Sequence, residues 1–196
     1  DSLAPDKLFA EDQAELISDN AGFRFVSHQP NTPNGTSLTI FKSNATDDGS
    51  YTLAVRGTEP TAGLGADLLQ DFLGVVLAGK AKIQVVEAFR YYKQVTTPGG
   101  QAVVYSAAEK AALVNLLLSG TPYTGRFESG AAAIAFLSAL TSNDVGLGAS
   151  GQFLIPAGAR INFTGHSLGG HVAVLLAELV HATAGSGRSV GDVVSF

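Results

Sequence analysis

The sequence predicts an α/β fold, in which a mostly parallel central sheet is flanked by helices. Two observations predict this fold. Segments with strand-like alternation come first along the chain, and helical patterns mixed with further strands follow them. The last forty residues then read as strand, helix and strand, a succession that normally forms a right-handed unit with two parallel strands. We expect one domain over residues 1–196, with its core formed on this sheet.

The first elements predicted along the chain are an amphipathic helix at 6–18 and three strands at 23–27, 37–42 and 51–56. Loops rich in Asn, Pro and Gly separate the strands. The second of these loops contains two aspartates followed by Gly49. Asp-Gly is a standard hairpin signal, so a turn is favoured here over a calcium site.

The middle of the chain is mostly helical in pattern. Helices are predicted at 66–94, 106–118 and 130–140, with loops at 119–125 and 142–158. A short strand at 160–164 and a helix at 172–179 follow. The strand at 160–164 is expected to be central in the sheet.

The connection between that strand and that helix carries the most informative motif, Gly-His-Ser-Leu-Gly at 165–169. This is the Gly-x-Ser-x-Gly form of a nucleophile elbow, which is typical of the α/β-hydrolase fold. The turn is sharp and strained, and glycines two residues to each side of Ser167 remove the clashes that bulkier residues would cause. The strain would expose the hydroxyl of Ser167, and the helix that follows would direct its free N–H groups at a developing negative charge.

A serine nucleophile needs a base, usually His oriented by Asp or Glu. In α/β-hydrolases the acid and then the His follow the serine along the chain. His166 adjoins the nucleophile as a supporting residue, but strand neighbours point to opposite faces, so it is a poor base. The remaining candidates are tied to the elbow helix, lie upstream, or offer only a carboxylate: His28, His171, Glu178, His181 and Asp192.

The segment 190–196 reads as a buried parallel strand. Domain boundaries usually fall in exposed linkers rather than in buried strands. We therefore expect a domain that is incomplete at its C-terminus. The catalytic Asp and His would lie beyond Phe196, in a companion C-terminal segment.

Composition narrows the function classes. The net charge is -5 with only 12 basic residues, which argues against nucleic-acid binding. Cysteine is absent, so disulfides and thiolate metal sites are excluded. No apolar run has the length of a membrane span. Methionine is absent too, and Asp1 is compatible with a mature N-terminus after signal-peptide removal.

Two further blocks carry a resemblance. The predicted strand that ends in Arg56, Gly57 and Thr58 is soon followed by Asp67. Together with the motif around Ser167 and the terminal strand, these blocks resemble the class 3 lipase family, whose members are α/β-hydrolases that cleave acylglycerol esters. The resemblance runs from about residue 51 to the end, and no motif matches between 79 and 158. It departs from the family pattern at the Glu-Pro pair after Thr58 and at the residue before Asp67.

The resemblance implies roles for single residues. Ser167 would be the nucleophile, and the backbone N–H groups of Thr58 and Leu168 would form the oxyanion hole. Asp67 would brace the oxyanion loop, with Asp71 as its rival. Without the resemblance, Thr58 would be a turn residue and Asp67 a helix cap.

A lid is a further possibility that the resemblance raises. The apolar segment 67–79 is either a lid that opens at a lipid–water interface or a core helix on the sheet. The region 121–140 is the other lid candidate.

The sequence thus predicts a secreted serine ester hydrolase, lipase-like, that acts on acylglycerols through an acyl-enzyme on Ser167. No cofactor is required and no metal is predicted; some secreted bacterial lipases use structural calcium, but no ligand cluster here predicts it. Other readings are a phospholipase, a short-chain esterase, a polyester hydrolase, a serine peptidase, or a catalytically silent fragment that serves as a binding scaffold.

Overall fold

The computed structural model describes residues 22–45, 49–57, 66–119, 127, 129–183 and 188–196, and within 66–80 it describes the backbone alone. These residues form five strands and four helices, in this order: β1 Phe23–Gln29, β2 Leu38–Ser43, β3 Tyr51–Val55, α1 Ala66–Val95, α2 Ala107–Leu118, α3 Gly130–Thr141, β4 Arg160–Gly165, α4 Leu168–Thr183 and β5 Ser189–Ser195. The α/β class is confirmed. The helix predicted at 6–18 lies outside the described residues.

The sheet is mixed, so the prediction of a mostly parallel sheet is wrong. Its order is β1-β2-β3-β4-β5. The pairs β1–β2 and β2–β3 are antiparallel, and the pairs β3–β4 and β4–β5 are parallel. The first three strands follow one another through short loops, which favour antiparallel neighbours, whereas helices separate β3, β4 and β5 in sequence. In the described sheet β3 is central and β4 lies beside it, so the elbow strand is interior but not central.

β5 is parallel to β4, as predicted, but it is not buried. Val193 and Val194 are 40% and 44% exposed. In the described residues β5 is the outermost strand, which explains this exposure. Its burial was inferred from its apolar composition, and composition does not reveal on which sides a strand is covered.

The core lies between the sheet and the helices. α4 contacts β3, β4, β5 and α1, and α1 also contacts α2. The side chains that are fully buried are mostly large and apolar, and they come from both layers: Leu38, Ile40, Leu53, Ile83, Phe89, Tyr91, Leu117, Ile155, Ile161, Phe163 and Leu176. α2 begins at a capping box, because the hydroxyl of Ser106 accepts from the Glu109 N–H at 3.1 Å and the Glu109 carboxylate accepts from the Ser106 N–H at 2.7 Å.

A buried carboxylate on α1 holds the loop between β1 and β2. Glu87 accepts hydrogen bonds from Thr32 Oγ1 and Asn34 Nδ2, each at 2.7 Å, and from Thr36 Oγ1. Gln84 Nε2 donates to the Asn34 carbonyl at 2.9 Å. Hydrogen bonds from several donors offset much of the cost of burying a carboxylate. The Asn- and Pro-rich loop is therefore fixed to α1.

A second buried carboxylate joins α1 to the segments before α2 and after α3. Asp144 accepts from Arg90 Nε at 2.5 Å, from Tyr105 Oη at 2.7 Å and from Gln94 Nε2 at 3.3 Å. Its side chain is completely buried. These contacts link residues that are 39 to 54 positions apart in sequence.

Arg188 lies directly before β5 and connects two other segments. Its guanidinium donates to the Thr96 carbonyl at 3.1 Å and to the Ile155 carbonyl at 2.9 Å. It also stacks over the ring of Phe153, 5.3 Å from the centroid. The side chain of Arg188 thus connects the end of α1, the segment that leads into β4 and the start of β5.

The buried Tyr91 should make the stability of the fold decrease at alkaline pH. Burial raises the pKa of Tyr91 from 10.0 to about 12, although its hydroxyl donates to Ser27 Oγ at 2.8 Å. Because the pKa is higher in the folded state, the neutral phenol of Tyr91 contributes to the stability of the fold. That contribution is complete below pH 10 and is lost as pH rises from 10 to 12. We expect the free energy of unfolding to fall by about 2–3 kcal/mol over that range through this residue.

Urea unfolding at several pH values, with Tyr91→Phe alongside, measures this contribution. The variant has no phenol to ionise, so its unfolding free energy should fall by less over the same range. Parallel curves for the two proteins would contradict the prediction.

Candidate active site

The predicted elbow is present at the carboxyl edge of the sheet. β4 ends at Gly165, His166 and Ser167 form the turn, and α4 begins at Leu168. Ser167 has a φ of 56° and is the non-glycine residue with positive φ in the described part of the chain. That left-handed conformation costs about 1–3 kcal/mol for a residue with a side chain. Ser167 is exposed, as a nucleophile must be.

Glycines provide the space that this turn needs. A Cβ on Gly165 would lie 2.7 Å from the Gly170 nitrogen. A Cβ on Gly169 would lie 2.5 Å from the Val55 carbonyl oxygen and 2.7 Å from the Gly57 nitrogen. Real Cβ atoms do not approach backbone atoms this closely. The first and last glycines of the motif are thus required by packing, as the sequence predicts.

Backbone hydrogen bonds hold the elbow from two sides. The Ser167 N–H donates to the Phe196 carbonyl at 2.8 Å, and the Phe196 N–H donates to the Gly165 carbonyl at 3.1 Å. On the helix side, the His171 N–H donates to the Ser167 carbonyl at 3.2 Å. The end of β5 therefore fixes the backbone of Ser167. Sequence reasoning missed this role of Phe196, because a contact made through a carbonyl leaves no side-chain signal.

The helix end supplies candidate donors for an oxyanion. Leu168 is the first residue of α4, and the first N–H groups of a helix have no partner within it. The positive end of the helix dipole also lies here. A negative charge that forms beside Ser167 can therefore be stabilised by the Leu168 N–H.

The other oxyanion candidate, Thr58, lies outside the described residues. Its neighbour Gly57 is described, and it lies against the elbow. A Cβ on Gly57 would be 2.6 Å from the His166 carbonyl oxygen and 3.8 Å from Ser167 Cβ. The chain that leaves β3 therefore passes directly beside the candidate nucleophile.

The bracing and lid candidates are described only in part. Asp67 and Asp71 belong to the first two turns of α1, and their side chains lie outside the description. The segment 67–79 is the N-terminal part of the continuous helix Ala66–Val95. The other lid candidate is the region 121–140. Its residues 121–126 and 128 lie outside the described residues, and most of the remainder belongs to α3.

The four histidines lie in different positions relative to Ser167. His171 and His181 are exposed on α4, as predicted, and His181 is about 20 Å along the helix from the serine. His166 is exposed too, but it lies in the turn rather than in the strand. The alternation argument against His166 therefore does not apply to it. In the described residues no hydrogen bond joins a histidine to the Ser167 hydroxyl.

His28 is at the same level of the sheet as the elbow but too far across it. It pairs with Thr39, which pairs with Ala54, which pairs with Thr164. Three strand spacings amount to about 14 Å. Its Nδ1 is 2.9 Å from Thr39 Oγ1, and burial lowers its pKa.

The acidic candidates are also far from Ser167. Asp192 forms an exposed ion pair with Arg160 at 3.0 Å, at the amino end of β4. The elbow is at the opposite end of that strand. Glu178 is exposed on α4, about 16 Å along the helix from Ser167. Neither carboxylate can orient a base there.

The described residues contain no group of three or more His, Asp or Glu that could hold a metal ion. They also contain no helix that is long and apolar enough to cross a membrane.

The fold and site define a mixed α/β protein with an exposed, strained serine between a parallel strand and a helix. No protein-family model and no curated protein matches the sequence. Among solved structures, the crystal structure of M37 lipase shares 16% sequence identity at a TM-score of 0.39, over 97% of this chain and 51% of that chain. The chain thus spans about half the length of that protein. A TM-score this low does not establish a shared fold. The reaction that this chain could catalyse is therefore inferred from its own residues.

Proposed function

We propose that this chain carries the nucleophile of a serine ester hydrolase of the lipase type. The proposal depends above all on Ser167, an exposed serine with φ of 56° at a strand-to-helix turn. This conformation costs free energy, and strain of this kind is concentrated at functional sites. The proposed substrates are acylglycerol carboxylic esters, on the strength of the resemblance around Arg56, Gly57 and Thr58.

In the proposed reaction, Ser167 Oγ attacks the ester carbonyl carbon while its proton passes to a base. The carbonyl oxygen becomes an oxyanion, which the N–H groups of Leu168 and Thr58 stabilise. The carbon–oxygen bond to the alcohol then breaks, and the alcohol leaves with the proton from the base. Water, deprotonated by the same base, releases the carboxylic acid and restores Ser167. Loss of one oxyanion donor typically costs about 100- to 1000-fold in rate.

We propose that the base is a histidine oriented by an aspartate, and that both come from a companion segment. No described histidine is hydrogen-bonded to the Ser167 hydroxyl, which is the reason for this part of the proposal. The reaction requires protein groups alone and no cofactor. The resemblance further supports a secreted enzyme that works at a lipid–water interface.

A catalytically silent binding scaffold is the second candidate. The absence of a histidine bonded to the Ser167 hydroxyl in the described residues favours it, because a serine without a base cannot hydrolyse an ester. Such a chain would keep the strained serine for structural reasons only.

Labelling with a fluorophosphonate, read by peptide mass spectrometry, distinguishes the two candidates. We expect Ser167 in the folded protein, assembled with its companion segment, to be modified faster than in a urea-denatured control and faster than the exposed Ser195. Displacement of the fluoride from the reagent by a serine requires an activated hydroxyl. Labelling of that folded protein at the denatured rate would favour the scaffold.

A further inference from the structure

We infer that Gly57 is a positioning residue, whose missing side chain sets the backbone conformation of Ser167. The inference depends on the proposed function, because it concerns how fast that serine reacts. It starts from one contact: the backbone of Gly57 lies directly against the peptide that joins His166 to Ser167.

Space, and not backbone conformation, makes glycine necessary at this position. Gly57 does not have a left-handed φ, so its own φ does not call for glycine. The obstacle is the His166 carbonyl oxygen, 2.6 Å from where a Cβ would be. That oxygen belongs to backbone, which cannot swing away as the end of a flexible side chain does.

The contact controls the one dihedral angle on which the elbow depends. φ of Ser167 is the rotation between its Cα and the peptide that contains the His166 carbonyl. If that carbonyl is pushed away from Gly57, its peptide rotates and φ of Ser167 changes with it. The direction of the Ser167 hydroxyl follows from that angle.

A second glycine closes the contact from the other side. Gly169 lies against Val55, Arg56 and Gly57, at 2.5–2.7 Å from the position of its absent Cβ to their backbone atoms. The chain that leaves β3 is therefore held between the His166–Ser167 peptide and the first turn of α4. Because backbone blocks it on both sides, this segment cannot relieve a clash at Gly57 by moving toward Gly169.

Gly57→Ala should therefore slow acylation of Ser167 by about 100-fold, since a displacement near 1 Å at a reacting group has that effect. The measurement is the rate constant for p-nitrophenyl butyrate hydrolysis per active site, on the protein assembled with its companion segment, with active sites counted by fluorophosphonate titration. A positioning role lowers the rate constant at each titrated site. A merely structural role lowers the number of titrated sites and leaves the rate constant at each unchanged.

Gly169→Ala is the second variant, because it disturbs the same contact from the helix side. The double variant should lose less than the product of the two single losses, since both act through one contact. Gly130→Ala is the matched control: its Cβ would be 3.9 Å from the nearest atom, Leu118 Cδ1, and it should react like the native chain.

The outcomes separate the two proposals. A native protein whose Ser167 is unreactive although the companion segment is present would overturn the proposed function and this inference together. A reactive native chain with an equally reactive Gly57→Ala, or with a loss confined to the number of titrated sites, would overturn this inference alone. If Gly57→Ala does not fold, the per-site rate constant of Gly169→Ala decides in the same way.

Discussion

Replacing Ser167 with glycine should stabilise the protein and abolish the proposed ester hydrolysis. Ser167 holds a φ of 56°, which glycine adopts without cost. Ser167→Ala also removes the hydroxyl but keeps a Cβ in the strained turn. We expect Ser167→Gly to unfold with a free energy about 1 kcal/mol higher than Ser167→Ala. With Ser167 as the proposed nucleophile, both variants should lose ester hydrolysis on the order of 10⁶-fold, the size of loss known for removal of a catalytic serine.

Urea unfolding measures the first effect, and p-nitrophenyl butyrate hydrolysis the second. The alanine variant is the matched control, because it differs from the glycine variant only at Cβ. Equal unfolding free energies for the two would show that Ser167 is not strained. Hydrolysis that survives in either variant would place the nucleophile elsewhere. The unfolding comparison gives a result whether or not the native chain turns over substrate.

The largest loss of stability is expected at Asp144. Asp144→Ala would leave the guanidinium of Arg90 and the buried hydroxyl of Tyr105 without their carboxylate partner. Removal of one partner from a buried pair typically costs 3–5 kcal/mol, so we expect a loss of about that size. This is a large share of the stability of a typical domain, about 5–15 kcal/mol. Urea unfolding of the variant measures the loss.

Asp192→Ala provides the matched comparison, because it also removes an aspartate from an arginine. That pair is exposed, with Arg160 50% and Asp192 75% accessible, so its loss should cost less than about 1 kcal/mol. Similar losses in the two variants would mean that burial does not set the strength of the Asp144 pair.

The strands and helices could be predicted because each depends on local patterns. The alternation in 23–27, 37–42 and 51–56 and the helical pattern in 66–94 are properties of neighbouring residues. The elbow could be predicted for the same reason, since its glycines and its serine lie within five residues.

The order and exposure of the strands required information that local patterns lack. Val193 and Val194 are as apolar as core residues, yet they are exposed, and in the described residues no further strand pairs with the outer edge of β5. The antiparallel start of the sheet depends on how short loops pair their strands. The buried partners of Glu87 and Asp144 are 39 to 55 residues away, at distances where sequence patterns carry no pairing information.

The geometry of the candidate site could be predicted in part. The motif predicts the sharp turn at Ser167 and the two glycines that flank it. The contact of Gly57 with His166 could not be predicted, because it joins residues more than a hundred positions apart through backbone atoms alone.

The hydrogen bonds of Arg188 bear on the order of folding. They connect Arg188 with the Thr96 carbonyl, 92 residues away, and with the Ile155 carbonyl, 33 residues away. Closing such long loops costs more entropy than a single hydrogen bond offsets. These bonds must therefore form late, after the end of α1 and the entry to β4 are already in place. Once formed, they make the three segments open together, so amide protons near Thr96, Ile155 and Ser189 should exchange as one cooperative unit.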